Sequence, residues 1–245
     1  MPFQISKLLR DAGGAVLDLV YPPHCAICLN KTYAGEHLCA ACRKAAPVIR
    51  APFCDTCSEP FSGQIDGPFL CPNCRDRHFR FTCAVARYRS RGAVRELIHR
   101  FKYNGKVHVQ NVLIDWLAET LGDPRLQAPP CDRVVPVPLH STRERERGFN
   151  QARLLAEGLA QRSGIPLADC IKRTRYTTTQ TIFDREARRE NLRGAFQMRQ
   201  SADVRNLHLL LIDDVLTTGS TVDECARVLM DAGAASVRVA TVARA

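Results

Sequence analysis

The sequence predicts an α/β protein in which a small cysteine-rich segment precedes a parallel β-sheet flanked by helices. Eight of the twelve cysteines lie before residue 75, and beyond residue 80 the spacing of apolar residues alternates between strand-like and helix-like stretches. One of these stretches, at 207–212, is almost continuously apolar, as a strand buried in a parallel sheet should be. Successive strand-helix-strand units are typical of parallel, doubly wound sheets.

The composition is that of a globular protein, since 45% of the 245 residues are hydrophobic, enough for an ordinary packed core. No apolar run approaches the roughly 20 residues that a membrane helix needs. The N-terminus also lacks the continuous apolar region and small-residue cleavage site of a signal peptide. We therefore expect a cytoplasmic protein without membrane insertion.

The net charge of +10 is concentrated outside the cysteine-rich segment. The stretch 80–106 holds eight basic residues and one acid, and the stretch 133–193 holds thirteen basic residues and seven acids. Such a surface attracts phosphates, which fits nucleic acid, a small phosphorylated substrate or a solvated surface that aids solubility. Charge alone does not distinguish these three interpretations.

The front of the chain holds four Cys-x-x-Cys pairs: Cys25/Cys28, Cys39/Cys42, Cys54/Cys57 and Cys71/Cys74. Without an export signal thiols stay reduced, so disulfides are disfavoured. Two such pairs complete a tetrahedral shell of four thiolates around zinc, so four pairs predict two structural ions. The simplest grouping is sequential, with the first two pairs on one ion and the last two on the other. An interleaved grouping has equally suitable spacing.

The cysteine-rich segment is short and rich in Pro and Gly, so metal binding would supply much of its folding free energy. A closed four-thiolate shell leaves no position for a substrate, which favours a structural role or a platform for a partner. Alternatively, one group of two Cys-x-x-Cys pairs lacks its metal, so that the protein holds one zinc ion. We expect a boundary between 1–78, an N-terminal helix plus the double zinc ribbon, and 79–245, the α/β domain.

The expected elements of the α/β domain follow from apolar periodicity. Strands are predicted at 82–88, 133–137, 207–212 and 236–242, helices at 92–101, 109–121, 149–162 and 221–231, and a loop at 138–147. Pro136 conflicts with a position inside a central strand, because proline cannot donate to a strand ladder.

Open α/β sheets bind ligands beyond the carboxyl ends of their strands, which here singles out 138–151 and 213–221. Asp213 and Asp214 are expected where a buried strand stops, before a loop that becomes a helix N-terminus. The loop offers hydroxyls, a glycine and the free N–H groups of the helix start, which together form an anion site. Its residues are Thr217, Thr218, Gly219, Ser220 and Thr221.

The two acids would repel a bare phosphate, so they are better suited to accept hydrogen bonds from sugar hydroxyls or to hold a metal ion. A phosphate on one side and acids facing a diol on the other describe a phosphorylated ribose. The alternative is that the hydroxyls only cap a helix and that both acids are solvated.

The strand, the two acids and the Thr-Thr-Gly-Ser-Thr loop resemble the phosphoribosyl-diphosphate-binding motif of type I phosphoribosyltransferases. The strings at 101–106, 135–139, 147–151 and 188–191, with the cysteine-rich front end, are similar to the ComF family. That family is associated with natural competence, the uptake of external DNA. The resemblance implies a type I phosphoribosyltransferase-like sheet behind a zinc ribbon region.

The resemblance also implies roles for individual residues. Asp213 and Asp214 would contact the ribose hydroxyls of phosphoribosyl diphosphate, with Mg²⁺ nearby, and the loop 217–221 would bind its 5′-phosphate. The pyrophosphate loop of the family would correspond to Leu139 and His140, with Arg143 or Arg147. The polar stretch 173–193 would be the mobile loop that closes over the site; it contains Gln180, Arg185 and Arg188.

The implied reaction is attack of a nucleophile on the anomeric carbon with loss of pyrophosphate. Catalysis would come from positioning and from stabilisation of the departing charge by Mg²⁺ and arginine, for which Arg147 and Arg188 are candidates. Thr217 stands where some members have an acid, so the general base is unassigned, with His140 as one candidate. The acceptor is not identified.

Three functional hypotheses follow. The first is a Mg²⁺-dependent phosphoribosyltransferase. The second is a binding module that holds single-stranded DNA on the same fold and basic face. In the third, the cysteine-rich front end is an adaptor to a competence helicase or a channel protein.

Overall fold

The protein is described here by a computed structural model that covers residues 23–33, 35–65, 67–104, 107–176 and 191–245, without the side chains of 104, 107 and 108. The predicted N-terminal helix lies outside the described residues. So do Gln180, Arg185 and Arg188 of the predicted mobile loop.

The strands of the described residues are β1 (Ala84–Arg89), β2 (Arg133–Pro136), β3 (Ile171–Arg173), β4 (Phe196–Met198), β5 (His208–Leu216) and β6 (Ser236–Arg244). The predicted parallel sheet is confirmed, and four of these strands form it in the order β1-β6-β5-β2. A separate antiparallel pair, β3 and β4, was not predicted because strands of three residues show no periodicity.

The helices of the described residues are α1 (Ala40–Ala45), α2 (Pro72–Arg75), α3 (Gly92–Asn104), α4 (Val107–Ala118), a 3₁₀ turn (Glu119–Gly122), α5 (Pro124–Gln127), α6 (Ser141–Arg147), α7 (Gln151–Ser163) and α8 (Ser220–Asp231). The four helices that apolar periodicity predicts are confirmed as α3, α4, α7 and α8, with ends that differ by a few residues.

The prediction of a loop at 138–147 is wrong, because most of that stretch forms α6. His140 caps this helix by accepting a hydrogen bond from the Thr142 N–H at its Nδ1, over 3.2 Å. Gly148 ends it in the left-handed conformation, with φ of 83°. The helix has no buried residue among those described, so the sequence carries no apolar periodicity there.

Strand β5 continues four residues beyond its predicted end at 212, so the two acids lie inside a strand rather than after one. The reason is that β6 pairs with β5 along its full length, from His208 opposite Ser236 to Leu216 opposite Arg244. On the other side, β2 pairs with β5 only as far as Pro136 opposite Ile212. Pro136 is thus tolerated as the last residue of an edge strand.

The sheet separates two apolar cores, as a doubly wound fold requires. Leu210 and Ile212 belong to the core that includes Leu113 of α4 and Leu155 of α7. Leu209 and Leu211 alternate with them and belong to the core formed with α8 and with β3 and β4.

The cysteine-rich segment covers the free edge of β1. The backbone N–H of Ala84 donates to Thr56 O at 2.7 Å, the N–H of Ile49 donates to Arg87 O at 2.8 Å, and the N–H of Arg89 donates to Pro47 O at 2.8 Å. An uncovered edge strand would expose unpaired N–H and C=O groups. Among the described residues, none of the helices combines the length and apolar character needed to cross a membrane.

The contact between α4 and α7 gives a first prediction. A Cβ at Gly158 would lie 2.2 Å from Ile114 Cδ1 and 2.8 Å from its Cγ1. We expect Gly158→Ala to lower the free energy of unfolding by about 1–3 kcal/mol, measured by urea denaturation, because the helices must move apart.

Gly122→Ala is the matched control, since a Cβ there meets nothing within 4 Å, and it should be nearly neutral. Adding Ile114→Ala to Gly158→Ala should cost less than Ile114→Ala alone. Strictly additive effects would contradict the contact.

Candidate functional site

The acid pair lies on β5 at the point where β2 has ended and one strand edge is open. Asp214 is only 3% exposed, so its carboxylate needs partners. Lys102 Nζ of α3 lies 2.6 Å from Asp214 Oδ2, and Gln151 Nε2 of α7 donates to Oδ1 over 3.2 Å. A buried carboxylate is thus held by one cation and one amide.

Asp213 lies on the same open edge, and its Oδ1 accepts a hydrogen bond from the Asp214 N–H at 2.9 Å. Burial raises the pKa of Asp213 to about 8, the charge of Asp214 adds to the rise, and Lys102 opposes it. Arg173 of β3 and Cys225 of α8 are among the groups that interact electrostatically with this carboxyl group. Asp213 is therefore costly to ionise, and a bound cation would lower that cost.

Arg147 lies behind the acid pair at the end of α6. Its guanidinium donates to Gln151 Oε1 over 2.5 Å and lies over the Tyr103 ring, 5.6 Å from the centroid. The rings of Phe101 and Phe149 pack with centroids 5.5 Å apart. Three separate sequence segments therefore meet at Asp214.

Lys102 and Gln151 are residues of this site that the sequence interpretation missed. Both lie in strings that carried the family resemblance, at 101–106 and 147–151. The family strings were the signal that the sequence offered for these two residues. No local pattern indicates that Lys102 or Gln151 contacts Asp214, because the contacts join positions far apart in the chain.

The threonine-glycine loop leads directly into α8. Gly219 is the N-cap residue, in the left-handed conformation with φ of 80°, and provides no capping side chain. Thr217 is exposed, and Thr218 Oγ1 lies 3.1 Å from Ser220 Oγ. The exposed Thr217, beside a helix N-terminus whose N-cap residue has no capping side chain, is suited to hold a phosphate.

Residues that follow the cysteine clusters form the wall behind this loop. A Cβ at Gly219 would come within 3.2 Å of the Phe79 ring, which stacks on Phe81 with centroids 4.7 Å apart. Arg77 lies over the Phe79 ring and donates to Thr218 O over 3.3 Å. The front of the chain therefore positions the loop.

The predicted pyrophosphate residues border α6, and Leu139 is half-buried. The His140 ring contacts the Tyr176 ring edge-on at 5.2 Å, and Arg143 lies 5.7 Å from the centroid of Tyr176. Since His140 Nδ1 accepts the helix-capping hydrogen bond, Nε2 is the ring nitrogen that remains for a ligand.

Both cysteine clusters form with sequential grouping, so the interleaved alternative does not occur. The ligand atoms within each cluster lie within 4.8 Å of one another, for Cys25, Cys28, Cys39 and Cys42, and for Cys54, Cys57, Cys71 and Cys74. Tetrahedral zinc at about 2.3 Å from each sulfur places sulfurs about 3.8 Å apart. The Cys28–Cys39 distance of 3.7 Å and the Cys57–Cys71 distance of 3.6 Å fit that geometry.

The comparisons with known proteins agree with this architecture. Residues 16–75 match the double zinc ribbon domain, and residues 148–245 match the phosphoribosyl transferase domain. Competence protein F of Haemophilus influenzae is 30% identical over 222 residues, which cover 88% of this chain and 94% of that protein. The chain belongs to the ComF family.

Two further relatives share both halves of this ComF chain. The DNA utilization protein YhgH of Salmonella typhi is 33% identical and covers 90% of this chain and 96% of its own. Competence protein ComFC of Bacillus subtilis is 30% identical and covers 96% and 99%. Among solved structures, the purine phosphoribosyltransferase of Pyrococcus horikoshii covers 53% of this chain and 70% of its own, with 18% identity and a TM-score of 0.33.

The clusters generate a second prediction. Purified protein should contain two zinc ions per chain by elemental analysis. Cys57 is buried in the core that includes Ala84 and Phe81, whereas Cys28 is exposed. We expect Cys57→Ser to lower the free energy of unfolding by at least about 3 kcal/mol, and Cys28→Ser by clearly less. Equal losses, or a zinc content near zero, would contradict this assignment.

The acid pair generates a third prediction. Because the folded pKa of Asp213 lies near 8, above the ordinary value of 3.8, its burial favours the protonated form. The fold therefore loses stability as pH rises from about 4 to 8. Asp213→Asn should remove this loss and raise the free energy of unfolding at pH 8.5 by at least about 1 kcal/mol, with little change at pH 4.

Asp203→Asn is the control for that experiment. Asp203 lies near the other end of β5, and its hydrogen bonds from Arg205 lower its pKa to about 2. This variant should give no stabilisation that grows with pH. A pH-independent effect of Asp213→Asn, measured as Tm across the same range, would refute the raised pKa.

Proposed function

We propose that this ComF protein works in DNA uptake or utilisation as a Mg²⁺-dependent phosphoribosyltransferase that takes phosphoribosyl diphosphate. The observation that carries this proposal is the juxtaposition on β5 and α8 of Asp213 and Asp214 with the uncapped loop 217–221. The names of the relatives, which include competence proteins and DNA utilization proteins, support the cellular role.

The arrangement supports a specific placement of the ligand. The 5′-phosphate would lie on the hydroxyls and free N–H groups at the start of α8. The ribose hydroxyls would donate to the carboxylates of Asp213 and Asp214. The pyrophosphate would extend toward His140 and Arg143 at the start of α6, where a donor and a cation are available.

The carboxylates also fit a divalent cation, since Mg²⁺ prefers oxygen ligands and commonly bridges one or two carboxylates and phosphates. When bound, Mg²⁺ would stabilise negative charge on the departing pyrophosphate. Lys102 and Gln151 hold the Asp214 side chain in place before the ligand arrives, and Arg147 in turn fixes the orientation of Gln151. Their contribution is positioning, which is the main resource for this reaction.

A second candidate function is a binding module for single-stranded DNA, in which the phosphoribosyl site has no turnover. Tyr103 is 67% exposed beside the acid pair, and its ring lies 4.7 Å from that of His99 and 5.6 Å from the Arg147 guanidinium. Exposed aromatic rings next to cations are the usual stacking platforms for single strands.

The fourth prediction separates these functions. Asp213→Asn combined with Asp214→Asn should weaken binding of phosphoribosyl diphosphate with Mg²⁺ at least about 100-fold by calorimetry, which corresponds to about 2.7 kcal/mol. Pyrophosphate release should fall equally, with nucleobases, amines and nucleic acids screened as acceptors. Asp203→Asn is the control, as an exposed carboxylate far from this site.

A transformation assay completes the test. If turnover is required, the double variant loses DNA uptake. Full transformation by a variant that no longer binds phosphoribosyl diphosphate would overturn the enzymatic proposal. Tyr103→Ala would then show whether single-strand affinity, with its steep dependence on salt, resides on the stacking platform.

A further inference from the structure

A basic cavity lies at the carboxyl ends of β1 and β6, and its lining does not include the acid pair. Its volume is about 300 Å³, and four arginines line it: Arg89, Arg91, Arg95 and Arg244. Glu59, from the second cysteine cluster region, forms part of the opposite wall. We call this cavity the arginine pocket.

Basic side chains outnumber acidic ones in the arginine pocket. Glu59, the acidic side chain among the lining residues, forms an ion pair with Arg244 at 2.7 Å. In the described ranges, no acidic side chain forms an ion pair with Arg89, Arg91 or Arg95. Three arginines of one pocket are therefore available to an anion.

The N-terminus of α3 adds to this imbalance. The helix is 13 residues long, begins at Gly92 and has no acidic residue in its first turn. Its N-terminus carries partial positive charge, so arginines at positions 91 and 95 face an unfavourable dipole. An anion in the pocket would satisfy the helix terminus and the guanidinium groups at once.

Protein groups hold Arg244 in the pocket wall. Its side chain is only 7% exposed; its NH2 pairs with Glu59, and its NH1 donates to Leu216 O over 3.2 Å and to a backbone oxygen of Ala245. Arg89, Arg91 and Arg95 are therefore the lining arginines that an anion would contact.

We propose that the arginine pocket binds a phosphate-type oxyanion, at a site separate from Asp213 to Thr221. Arginine is suited to this ligand because its planar fork donates two parallel hydrogen bonds to phosphate oxygens. Several convergent guanidinium groups favour a multiply charged anion over a carboxylate. The source is either free inorganic phosphate or pyrophosphate, or a phosphate group of a polynucleotide.

The experiment is titration calorimetry of the full chain with inorganic pyrophosphate, without Mg²⁺. We expect a site in the wild-type protein that is retained in the variant with Asp213→Asn and Asp214→Asn, because those residues lie outside the pocket. Arg95→Glu should weaken binding at least about tenfold. Arg205→Glu is the matched control: it reverses an exposed arginine at the opposite end of β5 and should leave binding unchanged.

The outcomes decide the proposal independently of the enzymatic one. Loss of pyrophosphate binding in the double acid variant, with no effect of Arg95→Glu, would overturn the arginine pocket but leave the phosphoribosyl site intact. If pyrophosphate does not bind, a short oligothymidylate serves as the second probe. Its binding should fall at least about tenfold in Arg95→Glu. The proposal is wrong if Arg95→Glu weakens the binding of neither probe. Unchanged Tm in Arg95→Glu excludes misfolding.

Discussion

The buried carboxylate of Asp214 is the constraint on which the arrangement of the site depends. Removing an ionised carboxylate from water costs several kcal/mol unless the charge is paired and hydrogen-bonded. Lys102 and Gln151 meet that requirement from two different helices, α3 and α7. The same contacts that satisfy the buried carboxylate therefore hold both helices in position relative to β5.

The sheet makes room for this interaction because its strands have unequal lengths. β6 pairs with β5 as far as Leu216, whereas β2 ends opposite Ile212, so a strand pairs with the backbone of the acids on one side only. A backbone held by that strand ladder cannot move away from the unfavourable charges. Burial, with the charge of Asp214, raises the pKa of Asp213, and a carboxyl group that is costly to ionise is a common property of ligand sites.

The parts that the sequence predicts and the parts that it does not differ in the range of their interactions. β5 and α8 are predictable because an apolar run and an amphipathic period are properties of contiguous residues. The grouping of the cysteines follows the same logic, since each zinc site uses two neighbouring turns. The extension of β5 to Leu216 depends on β6, about 28 residues further along the chain. No pattern among neighbouring residues predicts it.

The same distinction explains the missed site residues. Lys102 lies in a helix whose apolar positions were read correctly, but its partner is 112 positions away at Asp214. The helix α6 was missed because it buries no side chain among those described and is stabilised by its caps, His140 and Gly148. The family resemblance identified the strings that contain Lys102 and Gln151. Only the packing of α3 and α7 on β5 shows that both residues contact Asp214.

The cysteine-rich segment contacts the α/β part of the chain at several places. Its backbone completes the edge of β1, its Glu59 holds Arg244, and Arg77 and Phe79, just after its last cysteine, support Thr218 and Gly219. A glycine at positive φ with an aromatic ring against it has little freedom to rearrange. The geometry of the loop 217–221 therefore depends on the fold of the zinc ribbon. Through this contact, metal binding at the cysteine clusters supports the site although the metal would not bind the substrate.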